Sequence, residues 1–202
     1  MTAAVFLDRD GVINEDWFNP ATGEWESPLH PDDLVLRPGV LDAIARLRDL
    51  GFRLFLVSNQ PSYAKGKCRL EDLQAVQARL KTLLDGRGVG FDAFYYSYSH
   101  PESVVPELGE DAIFDRKPEP WFLFQARDRF GIDLAASWMI GDRDSDVTCG
   151  RRAGTRTIQV ANPRGTKAGK ADPDARAAGL PEAVALIETA LAVTAGERKS
   201  ER

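Results

Sequence analysis

Cysteine and histidine are scarce in this chain. Among 202 residues there are two cysteines, Cys68 and Cys149, far apart and outside any CxxC pair. This excludes a disulfide framework and a cysteine zinc site, and leaves free thiols in a reducing compartment as the plain reading. The two histidines, His30 and His100, each precede a proline and read as surface or loop-bracing residues. Excess positive charge is missing as well. A net charge of −5 gives no electrostatic footprint for a polyphosphate backbone, so nucleic acid is not an expected partner. Long apolar runs are absent too. The opening MTAAVFLDRD has no basic leader and meets an acid at position 8, which fits neither a secretory signal nor a membrane span. A cytoplasmic protein without membrane partners is the expectation, and nothing in the pattern specifies an oligomeric state.

What is present is an ordinary globular balance, with 43% apolar and 28% charged residues. The length suits one α/β domain, expected over residues 1–195, with residues 196–202 as an exposed C-terminal tail. Five short apolar runs predict strands: Ala3–Leu7, Phe52–Val57, Phe91–Tyr96, Trp138–Ile140 and Thr157–Val160. Each is almost continuously hydrophobic, as strands covered on both faces are. Helical spacing fills the intervals, for example Val40, Ile44 and Leu47, or Leu73, Val76 and Leu80. Alternation of this kind predicts a Rossmann-like, doubly wound parallel sheet, with functional groups gathered at the carboxyl ends of its strands. Residues 162–180 read as an exposed connection. The long non-periodic stretches Asn14–Arg37 and Ser97–Arg116 are candidate substrate loops.

The strand ends carry the chemistry. Asp8-Arg9-Asp10-Gly11 follows the first strand, a pattern that alone is compatible with an ordinary acidic turn. A second acidic cluster, Gly141-Asp142-Arg143-Asp144-Ser145-Asp146, follows the fourth. Clustered carboxylates repel one another unless a cation neutralises them, and an all-oxygen site suits a hard ion such as Mg2+. Ser58 and Lys117 add a hydroxyl and an ammonium suited to phosphoryl oxygens. Together these groups fit attack by an aspartate on phosphorus.

In these four motifs, taken in order, the sequence resembles the haloacid dehalogenase superfamily of phosphatases. The family pattern is DxDG after the first strand, Ser or Thr at the end of the second, then a Lys, then an acidic signature. The resemblance implies Asp8 as nucleophile and Asp10 as general acid and base. It further implies that Ser58 and Lys117 hold the phosphoryl group, and that Asp8, the backbone carbonyl of Asp10, and Asp142 hold magnesium, with Asp146 as outer support. Asp8-Arg9-Asp10-Gly11-Val12-Ile13-Asn14, Ser58-Asn59-Gln60 and Arg116-Lys117-Pro118-Glu119-Pro120 are similar to a narrower group, the heptose 1,7-bisphosphate phosphatases and histidinol-phosphate phosphatases. A helix and a strand already fill the interval between Asn59 and Lys117, so no separate cap domain is expected.

The implied substrate is a small phosphorylated metabolite, a heptose (bis)phosphate or related sugar phosphate. Asn19, Asn59, Gln60, Lys65 and Arg116 offer donors and acceptors to its hydroxyls. Trp17, Phe18 and Trp25 are open to two readings, as pocket lining or as loop anchors, and Arg143 to a reading as a solvated charge. Histidinol phosphate would call on Asp16 and Trp17 instead. A nucleic-acid end phosphatase and a non-catalytic phospho-ligand scaffold are the remaining alternatives. One departure from the narrower group stands out. Its members carry a zinc loop of three cysteines and a histidine, whereas this chain has Ser97-Tyr98-Ser99-His100-Pro101 and Ile113-Phe114-Asp115. His100 alone cannot build a structural zinc site. Apolar packing by Val104, Val105, Ile113 and Phe114 is the expected substitute.

Overall fold

A computed structural model describes residues 2–164 and 170–200. The first strand, β1 (Ala4–Leu7), is buried at every position. A short antiparallel hairpin follows it, β2 (Trp17–Asn19) and β3 (Glu24–Glu26). Next come α1 (Val40–Asp49), β4 (Arg53–Asn59), α2 (Leu70–Asp85), β5 (Ala93–Ser97) and α3 (Trp121–Phe130). The chain continues through β6 (Trp138–Gly141), α4 (Asp144–Ala153), β7 (Arg156–Val160), β8 (Ala175–Ala177) and α5 (Leu180–Ser200).

Six of these strands form one wholly parallel sheet in the order β5-β4-β1-β6-β7-β8. Because side chains alternate along a strand, β1 feeds two cores at once. Val5 and Leu7 join Leu54, Leu56 and Ile140 beneath α1, α2 and α5. Ala4 and Phe6 join Phe55, Val57 and Met139 beneath α3 and α4. Register pairs Leu7 with both Leu56 and Ile140, so Asp8, Ser58 and Gly141 all emerge at the same edge. Among the described residues no second domain is inserted. The connections carry only the hairpin and short 3₁₀ turns, and no helix is long and apolar enough to cross a membrane.

Four expectations shift. The third sheet strand starts at Ala93 rather than Phe91. The stretch Asn14–Arg37 contains the hairpin. The supposed exposed connection, 162–180, contributes the edge strand β8. Its alanines carry little strand signal, and the pairing rests on backbone bonds plus Asp174, whose Oδ2 accepts from Thr157 N at 2.7 Å and Thr157 Oγ1 at 2.8 Å. Finally, α5 runs to Ser200, past the boundary expected at 195.

Candidate active site

Beyond β1 the chain turns tightly, with the Arg9 carbonyl accepting from the amides of Ile13 (2.8 Å) and Asn14 (3.1 Å). Gly11 makes the turn possible. Its φ is +76°, and a Cβ there would lie 2.4 Å from Asn162 Nδ2 and 2.6 Å from Asp142 Oδ2. Asp8 is thereby set beside the end of β6.

Lys117 comes to the same point from the loop before α3. Its buried Nζ lies 2.9 Å from Asp8 Oδ1 and 2.6 Å from Asp146 Oδ1, and donates to Val57 O at 2.8 Å. Burial opposes its charge, but the two carboxylates prevail and raise its pKa. Asp146, in the first turn of α4, accepts at Oδ2 from the Arg143 amide at 2.9 Å. Gly141 gives it room, since a Cβ there would come within 2.1 Å of the Asp146 side chain.

Asp8, Asp142 and Asp146 each offer an oxygen within 4.8 Å of the others. Burial, then the charges of Asp8 and Asp146, push the Asp142 carboxyl up to about 7. Asp142 Oδ1 is buried without a hydrogen-bond donor. One ammonium among three carboxylates leaves negative charge uncompensated, and the donor set is all oxygen, so a hard divalent cation fits.

Asp10 is held differently. Its Oδ1 accepts from Arg9 Nε (3.1 Å), Arg9 Nη2 (3.0 Å) and Asn14 Nδ2 (2.9 Å). Its Oδ2 accepts from Gln60 Nε2 (2.7 Å) and Ser27 Oγ (2.9 Å). Burial raises its pKa, but the Arg9 guanidinium and the bonds from Asn14 and Gln60 outweigh it and hold the carboxyl below its usual range.

Known proteins resemble this chain in sequence and fold. Over 162 residues the chain is 39% identical to a D-glycero-D-manno-heptose-1,7-bisphosphate 7-phosphatase of Chlorobaculum tepidum, covering 77% of each chain. Residues 114–185 match the HAD-hydrolase-like family. The chain belongs to the HAD-like hydrolases. It is also 36% identical over 159 residues to the D-glycero-beta-D-manno-heptose-1,7-bisphosphate 7-phosphatase of Escherichia coli, covering 77% of this chain and 78% of that one. Its fold is similar to that of the D,D-heptose 1,7-bisphosphate phosphatase of B. bronchiseptica complexed with magnesium and phosphate. There the TM-score is 0.76 at 27% identity, over 94% of this chain and 99% of that one. A protein of Mesorhizobium loti described as a HAD-like phosphatase gives 0.75 at 32% identity, over 93% and 87%.

In this HAD-like hydrolase Ser58 and Asp142 are buried and do not line the pocket around Asp8, and the other candidate residues divide into two groups. Asp8, Asp10, Asn59, Arg116 and Lys117 line one pocket together with Glu26, Ser27, Ser62, Lys65, Lys67 and Arg143. Asn59 also pairs reciprocally with the Lys117 backbone, at 3.0 Å in each direction. Gln60 does not reach the pocket; it is fully buried behind Asp10, where its donors are already spent. Asn19 is tied into the hairpin turn, accepting from the Ala21 amide at 2.9 Å. Trp17, Phe18 and Trp25 line a separate cleft, and Asp16 is buried against Asn162.

Three features of this hydrolase escaped sequence reasoning. Arg143 is part of the pocket wall, not merely a solvated charge. Asn162, from the loop after β7, donates to Asp142 Oδ2 at 2.8 Å and to Asp16 Oδ2 at 2.7 Å; no local pattern marks it. The long loop is held by polar bonds, while Val104 and Phe114 stand 69% and 56% exposed. Asp115 Oδ1 accepts from Ser97 Oγ (2.6 Å) and Ser99 Oγ (3.1 Å), and the Val104 amide donates to Ala64 O (2.8 Å). The paired serines and Asp115 were the available signal.

Proposed function

We propose that this chain is a magnesium-dependent phosphatase that cleaves a heptose bisphosphate or a closely related sugar phosphate, with Asp8 as nucleophile. The observation that carries the reading is the setting of Asp8 between the buried ammonium of Lys117 and the carboxylates of Asp142 and Asp146, at the floor of a cation-lined pocket.

Lys117 and the Arg9 amide, the latter at 2.7 Å, hold Asp8 Oδ1. The other carboxylate oxygen then bonds to phosphorus as the ester P–O bond breaks. The departing sugar oxygen keeps that electron pair and takes a proton from Asp10. Asp10 takes that proton from solvent as the phosphate dianion binds beside it and raises its proton affinity. In the second half, water gives a proton to Asp10 and attacks the aspartyl phosphate, releasing phosphate and restoring Asp8. Ser58 and Lys117 steady the phosphoryl oxygens. Magnesium, held by Asp8, Asp142 and the Asp10 carbonyl with Asp146 beside them, would neutralise the charge that otherwise repels a carboxylate from a phosphate.

Heptose bisphosphate is preferred because relatives similar in sequence and fold bear that name and because Lys65, Arg116 and Arg143 suit an anionic, hydroxyl-rich ligand. The histidinol phosphate alternative loses its expected partners, since Asp16 and Trp17 lie outside the pocket. Steady-state kinetics with and without magnesium would test the reading. The expected result is a kcat/KM for heptose 1,7-bisphosphate above that for histidinol phosphate and for a DNA 3′-phosphate. A higher value for either competitor rejects the sugar assignment.

A further inference from the structure

Gln60 closes β4 onto β5, its amide donating to Ser97 O at 2.6 Å, and its side chain is fully buried. Three polar groups meet that side chain. Arg9 Nη2, which can only donate, lies 2.9 Å from Oε1. This fixes which end of the amide is oxygen. The NH2 end must therefore face Asp10 Oδ2 at 2.7 Å and Ser58 Oγ at 2.9 Å, one hydrogen to each. Both hydrogens are then used, and the amide cannot flip without opposing Arg9 with a donor and Asp10 with an acceptor.

We propose that Gln60 is a positioning residue for phosphoryl transfer, fixing the carboxylate of Asp10 and the hydroxyl direction of Ser58 with a single amide. Ser58 Oγ accepts from Gln60, so its own hydrogen must point elsewhere. Among the described residues no protein acceptor takes it. That hydrogen is the donor for a phosphoryl oxygen, while Asp10 is held where the departing sugar oxygen takes its proton. Gln60 touches neither substrate nor phosphorus and acts through two residues that do. The inference deepens the phosphatase reading and rests on it.

The test compares two esters in wild type, Gln60→Met and Gln60→Glu. p-Nitrophenyl phosphate releases a phenolate stable enough to leave unprotonated, whereas a sugar phosphate releases an alkoxide that needs the proton from Asp10. General acid catalysis contributes about 10²–10⁴-fold. Gln60→Met should therefore lower kcat for the sugar phosphate about tenfold or more beyond any loss with p-nitrophenyl phosphate. The inhibition constant of inorganic phosphate should rise several-fold through Ser58. Gln60→Glu keeps the shape and the bond to Arg9 but cannot donate when ionised, and should show the same split even if Gln60→Met folds poorly. Equal losses on both esters, or none, in a folded Gln60→Glu protein would overturn the inference while leaving the phosphatase reading intact. A wild-type protein that turns over neither ester would overturn both.

Discussion

The ammonium of Lys117 lies 2.6 Å from the Asp146 carboxylate in a pair whose side chains are 2% and 1% exposed. Its other neighbours are Asp8 Oδ1, at 2.9 Å, and Val57 O, to which it donates at 2.8 Å. Lys117→Met would strand two buried carboxylates, a loss of about 3–5 kcal/mol for a broken buried pair. Urea unfolding without metal should show that drop, and a change under about 1 kcal/mol would mean the pair contributes little.

Asp8→Asn keeps the shape of the proposed nucleophile and removes its charge. Turnover should fall roughly 100-fold or more, with the far-ultraviolet circular dichroism unchanged. A variant retaining more than about a hundredth of the wild-type rate would refute covalent catalysis at Asp8.

Asp142 ties stability to pH. Its carboxyl ordinarily ionises near 3.8, and in the fold near 7, chiefly because it is buried and then because Asp8 and Asp146 repel its charge. Between those values the folded chain holds a proton that the unfolded chain has released. Stability from this group is therefore complete below about pH 4 and is lost as the pH rises through about 7. A magnesium ion bound there would replace the proton. At about a hundred times its dissociation constant it should raise the melting temperature by roughly 5–10 °C at about pH 8, and by less at about pH 5. Equal shifts at both pH values in thermal scans would remove Asp142 from the metal site.

The loop from Ser97 to Asp115 is joined without thiolates. Elemental analysis of the purified protein should find no stoichiometric zinc. Asp115→Ala should free Ser97 and Ser99 and loosen Arg116, whose Nη1 donates to Ser99 O at 3.0 Å. The expected effect is a KM several-fold higher with a smaller change in kcat, as when uniform binding is lost. One tightly held zinc per chain, or an unchanged KM, would contradict this account of the loop.

Much of the molecule was legible before any coordinates. Continuous apolar runs marked the central strands because both faces of a parallel sheet are covered, and the polar residues ending those strands marked the site. Asp8, Asp10, Lys117 and Asp142 each stand beside a strong local signal, and the fold brings them together at one edge of the sheet. The edge strand β8 was missed because backbone pairing, not hydrophobicity, defines it.

The sequence by itself determined the parallel sheet, the identity of the acidic and basic groups and their order, since these depend on local periodicity and residue chemistry. Only the tertiary structure decided which polar residues face the pocket and which brace it. Gln60 stands two positions from Ser58 and reads like a substrate contact, yet its bonds with Arg9 and Asp10 turn its amide inward. Arg143 and Asn162 join the site through the meeting of loops far apart in sequence. Hydrogen-bond direction depends on three-dimensional neighbours, and no linear pattern encodes it.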